Sequence, residues 1–146
     1  MRLPTLALLA TAIAGLTAAG AAFAAPPSTT GLGTSWPNTT DLSANPHYHV
    51  YRFERGGVRY VQVNDAAGNV RGAIGYVGGQ VIDLPIGVDA SHWTVVNDTS
   101  VPRTGEPVYR DELMSISITP QANGTARMMV VPECEGDPLE CGKRLL

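Results

Sequence analysis

The chain has 146 residues, 44% of them hydrophobic, with 10 basic against 13 acidic side chains and two cysteines. That is one small domain, and it excludes a polytopic membrane protein, a coiled coil and a wholly disordered chain. With a net charge of −3, a single lysine (Lys143) and no basic cluster, nothing is available to neutralise phosphates, so nucleic acid and anionic lipid are excluded as partners.

Residues 1–24 read as a secretory signal. Arg2 supplies the positive start, Leu6 opens an apolar stretch that runs to about Leu16, and Ala22-Phe23-Ala24 is an A-x-A cleavage site. The mature chain is expected to begin at Ala25, in the bacterial periplasm or outside the cell. An uncleaved anchor is the competing reading, but the apolar part is short for a membrane span. Loss of Arg2 makes the remainder one unit more acidic.

Residues 25–46 are expected to form a flexible leader. Ala25-Pro26-Pro27 and the Ser, Thr and Gly residues after them offer turn chemistry and little to bury. Trp36 and Leu42 are the two side chains able to tack its later part down.

After Pro46 the texture becomes that of a β domain, expected over residues 47–132. His47 to Glu54 is rich in aromatic and β-branched residues, Arg55-Gly56-Gly57 is a turn, and Val58 to Val63 returns. A second turn near Asn64–Asn69 leads to a strand over Val70–Val77, and Gly78-Gly79 turns into Gln80–Leu84. This is a four-stranded meander. Alternation places His49, Tyr51 and Phe53 on one face of the first strand and Tyr48, Val50 and Arg52 on the other. Neither face is purely polar, so the strand is expected to be covered on both sides.

His92–Val96 and a segment starting at Val108 are further strand candidates. The cleanest alternation is Met114, Ile116 and Ile118 against Ser115, Ser117 and Thr119; Asn123-Gly124 then turns the chain back through Thr125–Val131. No stretch sustains a helical period. The fold class is therefore all-β: a small single-domain antiparallel meander, sandwich or open barrel.

Cys134 and Cys141 close the chain within residues 133–146. An even cysteine count in an exported protein points to a disulfide-closed tail. The spacing is not C-x-x-C, and the acids around it would raise a thiol pKa, which argues against redox chemistry.

The candidate sites are few. His47, His49 and His92 would suit zinc or copper if the fold brought them together; otherwise they are ordinary strand and surface residues. Asp89, Ser91 and His92 lie close in sequence, but a triad needs convergence in space and there is no G-x-S-x-G elbow. Glu54 and Asp65 read as solvated charges beside turns. The paired glycines lack the strand–turn–helix setting of a phosphate loop, and no cofactor motif is present. Gly72 and Gly75, inside a strand, mark a bulge or a close backbone approach. Tyr48, Tyr51, Tyr60 and Tyr76 could form an interaction surface, the plainer reading being that they fill the core. The leading expectation is a small exported β domain that binds an envelope or extracellular protein, or a glycan, without catalysis. The alternative is a metal-binding or enzymatic role built on His47, His49 and His92.

Overall fold

A computed structural model of the protein describes residues 31–97 and 101–133. The expected signal segment, the start of the expected leader and both cysteines lie outside these residues. Two four-stranded sheets make up the fold. The first has the order β1 (Tyr48–Arg55), β2 (Val58–Asp65), β3 (Val70–Val77), β4 (Gln80–Asp83) and is the antiparallel meander expected. The second runs β5 (Trp93–Val95), β8 (Ala126–Pro132), β7 (Met114–Pro120), β6 (Glu106–Arg110). One pairing departs from the antiparallel expectation: β5 lies parallel to β8, reached through a single 3₁₀ turn at Ala90–His92.

Local chemistry fixes the meander. Arg55 pairs with Val58 and Val77 with Gln80, so each hairpin closes on two glycines. Both glycines of the first turn have positive φ, 59° and 78°, the combination a type I′ turn requires and a side chain resists. The turn before β8 is wider than the two residues expected. Pro120 pairs with Ala126, and Gln121 and Thr125 form the neck of the loop.

The core lies between the sheets. Val50, Val61 and Ile74 of the first meet Val108, Ile116, Met128 and Val130 of the second in one buried cluster. Burying each such side chain contributes about 1.5–3 kcal/mol. The alternation read from Met114, Ile116 and Ile118 is observed, all three being at most 1% exposed. Gly72 belongs to this inner face, where Met128 and Trp93 fill the space a side chain would take. Beside it, Val63 pairs with Gly72 and Asn64 with Val70, which leaves Arg71 as a bulge.

The described part of the expected leader, residues 31–46, is instead a packed cover. It crosses the outer face of the first sheet over β1 and β2. The fully buried Gln62 and Asn64 hold it: Gly33 N donates to Gln62 Oε1 at 2.6 Å, Gln62 Nε2 donates to Thr34 O at 2.8 Å, and Asn64 Nδ2 donates to Ser35 O at 2.6 Å. The same segment then stitches the two sheets along one side. Leu42 N donates to Val50 O of β1 and Ala44 N to Val108 O of β6. These bonds take up backbone groups that a bare sheet edge would leave to water. Polar turn residues build this cover because its bonds go to side chains and edges, a partnership that hydrophobic pattern does not reveal.

Candidate functional site

The three histidines stand apart. His47 Nδ1 is 3.7 Å from Glu106, His49 Nδ1 is 2.7 Å from Asp41, and His92 Nδ1 is 3.4 Å from Asp89. Each imidazole has its own carboxylate on its own element. Among the described residues, no three His, Cys, Asp or Glu side chains gather as a metal site requires. The triple-histidine centre considered from sequence is not assembled among the described residues: His47 just before β1, His49 on β1 and His92 in the 3₁₀ turn each meet a different carboxylate.

Asp89 is also drawn elsewhere. Its side chain is 1% exposed and forms an ion pair with Arg71, with 2.5 Å between Oδ2 and the guanidinium NH2. Arg71 NH2 also donates to Gly124 O in the loop between β7 and β8. Asp89 and Arg71 thus tie the β3 bulge to its neighbours. Glu54 and Asp65 have structural partners as well: Glu54 accepts from Arg59, and Asp65 accepts from Ala67 N and Asn69 within its turn. Burial works against the charge of Asp65, but the Asn69 and Ala67 donors and Arg71 hold its carboxyl below the ordinary range.

The tyrosines divide. Tyr48 is in the inner core at 9% exposure, and Tyr51 is at 4% beneath the cover, so neither belongs to a surface. Tyr76 packs against the inner core from the margin. Tyr60 alone remains half open on the outer face, between Phe53 of β1 and Gly75 of β3.

Two surfaces stand out. At the hairpin end of the first sheet the cover stops, and the outer face of β3 and β4 lies open. Val77 and Ile82 are 37% and 46% exposed there, with Val58 and Tyr60 half-buried beside them. Gly75 pairs with Ile82, and a Cβ on it would sit 3.6 Å from both Tyr60 and Val58. Gly75 is itself buried, so Tyr60 and Val58 close over it and the apolar strip is continuous. Beside it, β4 is the last strand of the sheet, and among the described residues no strand pairs with its other side. A cleft of about 310 Å³ opens at the same end, lined by Glu54, Arg59, Tyr76, Val77 and Leu113. Its Arg59 is fully engaged by Glu54, Asp111 and Glu112.

At the opposite end of the strands, Trp36 is 59% exposed beside His49, their ring centroids 5.1 Å apart and edge-on. His49 stacks on Tyr51 at 6.3 Å. Asp41 Oδ1 accepts from Ser43 N and Val50 N, and Asp41 Oδ2 faces His49. Partial burial opposes its charge, and these donors outweigh it, so the carboxyl lies below its usual range. Trp36 carried little signal in the sequence beyond its size, because its setting depends on Gly68, some thirty residues further along the chain.

Compared with protein-family models, curated proteins and solved structures, the chain matches none of them.

Proposed function

We propose that this chain is a small exported domain that works by binding a protein of the bacterial envelope or the extracellular space, without chemistry of its own. One observation carries the reading. The cover shields β1 and β2 but leaves the β3–β4 end bare, so Val77 and Ile82 lie exposed beside a strand edge that is unpaired among the described residues. Sheet edges are usually blunted by charge, proline or a covering segment. Residues 41–44 do that for β1 and β6, and β5 is only three residues long. The four residues Gln80-Val81-Ile82-Asp83 contain no proline, and their one charge, Asp83, stands at the end of the strand. An edge offering backbone groups beside apolar side chains is the surface on which extended partners add as a further strand.

A photo-cross-linking residue placed at Ile82, in the producing cell, tests this. A second chain carrying it at Arg127, exposed on the other sheet, is the comparison. A discrete adduct from position 82 and none from 127 is expected, and Val77→Lys should remove it. Absence of an adduct at 82, or equal adducts at both positions, overturns the reading.

A further inference from the structure

We infer that Trp36 is the platform of a second binding site, one that takes a neutral or N-acetylated pyranose of a glycan. The site lies at the other end of the strands from Ile82 and stands independently of the protein-binding surface proposed there.

The first observation is how Trp36 is seated. A Cβ built on Gly68 would lie 2.5 Å from Cε2, 2.5 Å from Cζ2 and 2.8 Å from Nε1. Cε2 is a ring-fusion atom. An approach along the ring edge would reach Cζ2 first, so its equal distance places Gly68 against the indole face. With one face resting on glycine and the residue 59% exposed, the ring is a supported slab open to water.

Secondly, the support is built from costly parts. Gln62 and Asn64 are both 0% exposed, and they bond each other and the backbone of residues 33–35, immediately before Trp36. Buried amides cost free energy unless fully bonded, and here they fix a loop whose next side chain remains in water. Burial of Trp36 cannot be the return, because most of it is not buried. Fixing a ligand-facing ring in advance is how a site avoids ordering cost on binding.

The third observation is the polar rim. Asp41 holds His49 through Nδ1, which leaves Nε2 as the ring nitrogen free to hydrogen-bond next to the indole. In the turn under the ring, Asn69 Nδ2 donates to both oxygens of Asp65, which leaves its own carbonyl oxygen as an acceptor. Pyranose rings carry an apolar face of axial C–H bonds, suited to an aromatic slab, and a rim of hydroxyls that both donate and accept, suited to these polar groups. Asp41 and Asp65 are both held ionised by their donors, which disfavours anionic sugars.

The test is a calorimetric titration of the full mature chain with chitohexaose, cellohexaose, mannohexaose and xylohexaose, and with polygalacturonate as the anionic contrast. Saturable binding of at least one of the first four is expected. Trp36→Ala should weaken it by about tenfold or more. Trp93→Phe, on the inner face, should leave affinity unchanged, and His49→Ala should weaken it by a smaller factor at an unchanged melting temperature. Saturable binding by none of the four, equal binding of polygalacturonate, or binding that persists in a folded Trp36→Ala chain would overturn the assignment. Trp36→Ala should leave the Ile82 cross-link unchanged, so either proposal can fail without the other.

Discussion

Tyr109 donates its phenolic proton to Asp111 Oδ2 at 2.6 Å, and the same oxygen receives Arg59 NH1 at 2.9 Å. Asp111 Oδ1 takes the backbone N–H groups of Leu113 and Met114. One carboxylate therefore joins β6, the turn before β7 and, through Arg59, the opposite sheet. Its side chain is 7% exposed, so the four bonds form largely out of water. Burial raises the pKa of this carboxyl, but Tyr109, the two backbone donors and Arg59 bring it below the ordinary value. Asp111→Asn keeps the shape but sets a neutral amide between Arg59 and Tyr109, leaving the guanidinium to Glu54 and Glu112. A loss of about 2–4 kcal/mol in urea unfolding is expected.

The same carboxylate sets an acid limb. Because the folded pKa is depressed, its stabilisation is fully present above the unfolded value of about 3.9 and is lost as pH falls through the folded value. Thermal midpoints measured from pH 6 downward should therefore fall more steeply below about pH 4 in the wild type than in Asp111→Asn. Parallel curves would show that other carboxylates govern acid unfolding.

Tyr109 sets an alkaline limb of opposite sign. Burial, then the bond to Asp111 and its charge, push the phenol well above the ordinary value. Its stabilisation is present below the unfolded pKa of about 10 and is lost as pH rises above it. Spectrophotometric titration of the five tyrosines should show one that ionises only with unfolding. Tyr109→Phe should remove that step; if it survives, another phenol is responsible.

Gln62→Leu should release the cover. The substitution leaves Gly33 N–H, Thr34 C=O and Asn64 Oδ1 without that partner, at a cost of about 1–3 kcal/mol. Limited proteolysis should then cut within residues 31–40 at a rate the wild type does not show. Equal resistance would mean that Asn64 and the Asp41–Tyr51 bridge suffice to hold the segment.

How much of this was legible in the sequence follows from what each residue contacts. The meander and β7 were readable because their signals are local: Gly56-Gly57 demands its turn, and in β7 Ile116 and Ile118 alternate with serine and threonine. The two-sided burial of β1 was readable from Tyr51 and Phe53 lying opposite Tyr48 and Val50. The cover was not, because its partners, Gln62 and Asn64, are polar residues on a strand whose bonds go to backbone 28 and 29 residues away. Strand polarity ordinarily signals solvent, and here it signals a second layer. The parallel β5 was equally hidden, since Trp93–Val95 is too short to state its direction. For the histidines, spacing put His47 and His49 near each other but carried no information about Asp41 and Glu106, which claim them separately.

The pairing of Cys134 with Cys141 rests on sequence alone, and the described fold sharpens what its removal should do. Glu133, the last described residue, is already anchored: its N–H donates to Leu113 O at 2.7 Å, and its carboxylate lies 3.2 Å from Arg103 and 3.4 Å from Arg110. The chain is thus held to its neighbours up to the residue before the first cysteine. A bridge spanning only Cys134 to Cys141 would constrain a short loop beyond that anchor. Replacing both cysteines by serine should then cost less than the ~2–5 kcal/mol typical of losing a native disulfide in a small secreted domain. Thiol titration of the unfolded, unreduced mature chain should find no free cysteine. Two reactive thiols would end the idea of a bridge. Global unfolding of the double variant would show that residues beyond Glu133 contribute to the core, and that the domain does not close at Pro132.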